Sequence, residues 1–263
     1  MADRQHDYEN LWAVADRLAD VARVETLRHF RTSGLETESK REDFDPVTVA
    51  DRNAEAAMRA VLQDLRPQDA ILGEEFGVSA GTSGLTWVLD PIDGTRGYIS
   101  GTPTWGVLIA VSDPDGPVLG LIDQPYIGER FSGGGGRAVL IGPHGERPLA
   151  ASTTTKLADA TLFTTFPEVG TLDEGAAFRR VAETVQLTRY GCDCYAYALL
   201  AAGQIDLVIE AGLQAYDIQA PIAVIEAAGG IVTDWAGGAV HDGGRAIAAA
   251  TPELHQAAME LLS

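Results

Sequence analysis

An apolar run, Trp87-Val88-Leu89, opens directly into Asp90-Pro91-Ile92-Asp93-Gly94-Thr95. The run reads as a strand, and two aspartates, a proline, a glycine and a hydroxyl at its end are unusual content for a simple turn. Carboxylates three residues apart around a proline-stiffened bend can converge on one point, where their repulsion needs a cation to offset it. Oxygen donors of this kind, without histidine or thiolate, favour Mg2+ or Mn2+ over zinc. Gly94 and Thr95 add backbone N–H groups and a hydroxyl, and a helix beginning there would attract an anion such as phosphate. Taken alone, the segment is equally well an Asp-x-x-Asp turn with a helix cap at Thr95.

Other acids stand at element boundaries. Glu74, in Gly73-Glu74-Glu75, ends the short apolar run Ala70–Leu72. Asp51 follows the extended stretch from Asp45, where Pro46 disfavours helix for the residue before it. Tyr216-Asp217 opens a helix after a strand ending at Glu210. Each of these, by itself, is more often a helix cap or a solvated turn residue.

The remaining pattern predicts alternating helices and sheets. Leu11, Val14, Leu18, Val21 and Ala22 have helical spacing within Tyr8–Phe30, and Ala54, Met58, Val61, Leu62 and Leu65 form a second apolar face before Pro67. Gly106–Ser112 and Pro117–Asp123 read as a hairpin across Asp113-Pro114-Asp115-Gly116, and Gly133–Gly136 as a loose loop. Beyond Thr153, strands over Ala160–Thr165, Leu207–Ile209, Ile231–Thr233 and Ala246–Ala249 alternate with helices over Gly175–Thr184, Tyr195–Ala202, Asp217–Ala228 and from Pro252. Helix-covered sheets of an α/β class follow. With no repeat or long linker, residues 1–263 read as one unit whose halves, about 1–150 and 151–263, share a cleft.

A formal charge of −19 disfavours nucleic acid and anionic membranes as partners. No run approaches the ~18 apolar residues of a membrane span, and no basic segment leads into an apolar one, so a cytoplasmic location is expected. Cys192 and Cys194, one residue apart and without a second pair, read as reduced thiols. His29 and His241 have no arrangement that suggests catalysis.

Taken together, Asp45-Pro-Val-Thr-x-x-Asp51, Gly73-Glu74-Glu75, Trp87-x-x-Asp90-Pro-Ile-Asp93-Gly-Thr95 and Tyr216-Asp217-Ile-Gln-Ala-Pro221 resemble, in order and spacing, the inositol monophosphatase superfamily. The resemblance implies an αβαβα sandwich and a magnesium-dependent phosphomonoesterase working as a homodimer on a small phosphate ester. It implies that Glu74, Asp90 and the Ile92 carbonyl bind one Mg2+, that Asp90, Asp93 and Asp217 bind a second, and that Asp51 helps place a third. Mn2+ is a possible substitute. Gly94 and Thr95 would hold the phosphate and Arg96 would join them in binding the substrate, while Glu74 and Thr95, with Asp51, orient and deprotonate the attacking water. Tyr216 stands where the family usually has tryptophan.

Within the superfamily, Arg96-Gly97-Tyr98-Ile99-Ser100-Gly101-Thr102-Pro103 and Gly191-Cys192-Asp193-Cys194-Tyr195-Ala196-Tyr197 are similar to the histidinol-phosphatase branch. Asp193 and Glu210 would then favour a cationic alcohol over a neutral polyol. Its position also suits Asp193 to cap the helix over Tyr195–Ala202. The alternatives are the same chemistry on inositol 1-phosphate or another sugar phosphate, and a non-catalytic metal- and phosphate-binding module.

Overall fold

The computed structural model describes residues 6–32, 37–39 and 46–263; Asp45 lies outside the described residues. In chain order the elements are α1 (Tyr8–His29), β1 (Thr37–Ser39), β2 (Pro46–Thr48), α2 (Val49–Leu65), β3 (Ala70–Gly73), β4 (Gly77–Ser79), β5 (Thr86–Asp93), α3 (Thr95–Ser100), β6 (Gly106–Asp113), β7 (Gly116–Gln124), β8 (Glu129–Gly134), β9 (Arg137–Gly142) and β10 (Gly145–Pro148). The second half contributes β11 (Thr161–Thr164), α4 (Leu172–Ala182), β12 (Leu187–Tyr190), α5 (Asp193–Ala201), β13 (Leu207–Gln214), α6 (Ala215–Ala227), β14 (Ile231–Asp234), β15 (Gly243–Ala249) and α7 (Pro252–Leu262).

Strand alternation builds the layers. In β5, β6 and β7, Trp87, Leu89, Val107, Ile109, Val111, Leu119 and Leu121 face the apolar sides of α1 and α2. From the opposite face of the same sheet, Val88, Leu108, Ala110 and Ile122 meet α5 and α6. Those helices also cover Val208, Ala246 and Ala248 of a second sheet. Behind that sheet, Leu207, Ile209, Ile247 and Ala249 pack with Phe178 and Val181 of α4 and Leu254 and Ala258 of α7. The result is the five-layer αβαβα sandwich expected above. The first sheet has eight strands in the order β10-β9-β8-β7-β6-β5-β3-β4, and the second five in the order β12-β11-β13-β15-β14.

Three expectations are corrected. Gly133–Gly136 is not a loose loop: Gly133 and Gly134 end β8, and Gly134 pairs with Arg137 across a tight turn whose Gly135 and Gly136 take positive φ. Leu65, assigned to the buried face of α2, is 49% exposed because it lies in the last turn, beyond the sheet that covers Met58 and Leu62. The apolar run at Trp87 continues as strand through Asp93, so its acids belong to β5 itself.

Helix α6 is buried on nearly every side from Ile218 to Ile225 and needs small residues beneath it. A β-carbon at Gly120 would lie 2.4 Å from Ala220 O, and one at Gly133 2.4 Å from Val224 Cα. Gly133→Ala is therefore expected to destabilise the fold by about 1–3 kcal/mol through overpacking, measured by urea unfolding.

Candidate active site

The pairing of β5 with β6 shifts register between Asp90 and Asp93. Within this bulge Asp90 Oδ1 accepts the Ile92 N–H at 3.0 Å, which curls the chain back on itself. Ile92 anchors the bend by packing with Phe30, Ala50, Tyr98 and Trp105. The Tyr98 hydroxyl, donating to Thr26 O at 2.7 Å, ties that nucleus to α1. Gly94 caps α3 with φ +85°, and a β-carbon there would come within 2.7 Å of the Asp193 carboxyl carbon. Glycine is thus required both by conformation and by close approach.

Oxygens of Asp90, Asp93 and Asp217 lie within 4.8 Å of one another. Backbone donors hold all three carboxylates: besides the Ile92 N–H on Asp90, Cys194 N donates to Asp93 Oδ2 at 2.6 Å and, from the N-terminus of α6, Gln214 N to Asp217 Oδ2 at 2.7 Å. Glu74 is brought beside Asp90 because its N–H bonds Leu89 O at 3.1 Å. Burial, then the charges of Glu74, Asp93 and Asp217, push Asp90 well above the usual carboxylate range. Asp93 is raised likewise, by burial and then by Asp193 and Asp217. Crowded hard oxygens that repel one another and are fixed from behind fit a divalent cation.

Behind the cleft, Asp51 is 1% exposed and sits in the first turn of α2. Its Oδ2 accepts from the backbone N–H of Thr48 at 2.8 Å and from its hydroxyl at 2.6 Å, a capping box. Its Oδ1 faces Thr95 Oγ1 at 3.5 Å, and that hydroxyl also reaches Ile92 O at 3.2 Å. Burial raises Asp51 to about 7 against the opposing bonds from Thr48, with Glu74 and Glu75 adding to the rise.

In front lies a cleft of about 300 Å3 lined by Glu74, Asp93, Gly94, Thr95, Arg96, Asp193, Glu210 and Asp217, among others. Asp90, Ile92 and Asp51 are buried beneath it. Glu210 Oε1 accepts the N–H and hydroxyl of Thr165 at 2.7 and 2.8 Å. Burial raises Glu210 to about 7, opposed by Thr165 and reinforced by Asp193. The capping alternative for Asp193 is not what the fold uses: Cys192 occupies the N-cap, and Asp193 is the first helical residue, held at φ +45°. Burial raises Asp193 to about 6, offset by the Thr104 hydroxyl and the Arg96 charge.

The sequence reading missed Thr165 and Phe166. Phe166, 44% exposed on the cleft wall with the Arg96 guanidinium 5.1 Å from its ring centroid, was signalled only by an aromatic-proline pair just past a strand. Thr165 carried no signal. Among the described residues no helix is long and apolar enough to cross a membrane.

A model of the inositol monophosphatase family matches residues 4–263. The bifunctional phosphatase IMPL2, chloroplastic, of Arabidopsis thaliana is 42% identical over 261 residues, covering 95% of this chain and 74% of that one. The histidinol-phosphatase of Mycobacterium tuberculosis is 34% identical over 239 residues, 90% of each chain. Among solved structures, an inositol monophosphatase from Zymomonas mobilis superposes with a TM-score of 0.85 at 35% identity, covering 98% of this chain and 99% of that one.

Because Glu210 holds its proton more tightly folded than unfolded, it costs stability as pH rises from its unfolded value of 4.5 to about 7. Chelator-treated protein is expected to melt at progressively lower temperature across that window, and Glu210→Gln to flatten the decline, as followed by calorimetry.

Proposed function

The chain belongs to the inositol monophosphatase family, whose members are metal-dependent phosphatases, and on that premise we propose that it hydrolyses L-histidinol phosphate to L-histidinol and phosphate. The observation that carries the substrate is Asp193. A non-glycine residue at φ +45° costs free energy, and its carboxylate lines the cleft instead of capping its helix. With Glu210 on the same cleft, it supplies the negative charge that an amino group and an imidazole require. The Phe166 ring adds a flat apolar surface for a heterocycle. The curated histidinol-phosphatase relative supports this substrate.

In this reading Asp90, Asp93 and Asp217, with Glu74 and the Ile92 carbonyl, hold Mg2+, and Asp51 supports a further ion. A divalent cation held by these residues would supply Lewis acidity, making water easier to deprotonate and offsetting charge on the phosphoryl oxygens. Gly94, Thr95 and Arg96 hold the phosphate. Glu74 and Thr95 orient the attacking water, and Thr95 Oγ1 passes a proton toward Asp51 Oδ1, 3.5 Å away. Asp51 Oδ2 is already taken by the Thr48 N–H and hydroxyl, which leaves Oδ1 for that proton. Asp193 and Glu210 bind the cationic end of the alcohol.

Phosphate release with Mg2+ from L-histidinol phosphate and from inositol 1-phosphate, beside chelator controls, tests the proposal. Preference for histidinol phosphate is expected; preference for inositol 1-phosphate overturns the substrate, and release from neither overturns the reaction. Asp193→Asn is expected to lower kcat/KM for histidinol phosphate roughly tenfold or more, the scale of one lost charge-assisted hydrogen bond, while sparing a neutral ester. Asp93→Asn is expected to nearly abolish turnover on any ester with an unchanged circular dichroism spectrum.

A further inference from the structure

Glu55 lies in α2 four residues after Asp51, is completely buried, and belongs to none of the groups discussed so far. Its carboxylate grips the turn between β3 and β4: Oε2 accepts the Glu75 N–H at 2.7 Å and Oε1 the Phe76 N–H at 3.2 Å. Arg59, one helical turn later, donates its Nε to Oε1 at 2.7 Å, reaches Ser79 Oγ at 2.9 Å and also binds Gly77 O. The carboxylate lies so close under the turn that a β-carbon at Gly73 would be 2.0 Å from Oε1.

The one residue of this turn lining the cleft is Glu74. Its own N–H is tied to Leu89 O, the next two N–H groups to Glu55, and the following carbonyl but one, Gly77 O, to Arg59. We propose that Glu55, braced by Arg59, is a positioning residue that fixes the main chain of Glu74 so that its carboxylate meets Asp90 across the metal site. A buried carboxylate is costly unless fully bonded, and among the described residues its bonds all go to this turn or to Arg59. Asp51, Glu55 and Arg59 recur every four residues, so one stripe of α2 serves the site from below. The inference rests on reading Glu74 as a metal ligand and is independent of which ester is hydrolysed.

The test is Mn2+ binding to chelator-stripped protein, followed by the electron paramagnetic resonance signal of free Mn2+, with thermal melting in parallel. In Glu55→Gln the amide nitrogen cannot accept an N–H, so half-saturation is expected to rise about tenfold or more, and raised Mg2+ to restore lost turnover. A destabilised control in the outer core, Phe178→Leu, is expected to lower the melting temperature without moving half-saturation. Wild-type half-saturation in Glu55→Gln overturns the inference. Should that variant not fold, Arg59→Lys, which loses the forked contacts but keeps the charge, is expected to shift half-saturation in the same direction, and no shift overturns it. Glu74→Gln separates the two readings: if it too leaves half-saturation unchanged, Glu74 is not a ligand and both fall.

Discussion

Mutual repulsion among Asp90, Asp93 and Asp217, held within 4.8 Å of one another, is the constraint around which the rest of the site is arranged. Carboxylates this close in a partly desolvated cleft either take up protons or share a cation. The fold does nothing to separate them. Asp93 is held by Cys194 N, Asp217 by Gln214 N, and Asp90 by the Ile92 N–H inside the bulge of β5. Stability lost to that crowding is made good by the layers around it, with α6 buried on nearly all sides between two sheets.

The site is assembled from both sheets. The first supplies Glu74, Asp90 and Asp93 at adjoining strand ends. The N-termini of α5 and α6 bring Asp193 and Asp217, and β13 of the second sheet brings Glu210. Two of the acids, Asp51 and Asp217, also close capping boxes, each giving an oxygen to its helix start while its carboxylate borders the site. Such double use explains why a capping role and a functional role could not be separated from sequence alone.

Much of the layering was legible, because alternation in β5, β6 and β7 and helical spacing in α1 and α2 are local signals. The convergence of Asp90, Asp93 and Asp217 was legible too, since acids at a strand end and a helix start betray themselves by position. Features set by tertiary approach were not. Nothing in the run of glycines at Gly133 announces α6 above it, and Thr165 acquires meaning only through Glu210 from another strand. Asp193 could be read as a pocket anion or, because a helix follows it, as a cap; its φ of +45° and the glycine facing it at Gly94 become visible only in three dimensions.

The central claim, that these carboxylates form a cation site, is tested most directly by crystallography of the protein soaked in Mn2+, using anomalous scattering at the manganese edge. The expected result is an anomalous peak bounded by Asp90, Asp93 and Asp217. A map with Mn2+ elsewhere on the molecule and none between those three residues would contradict the account.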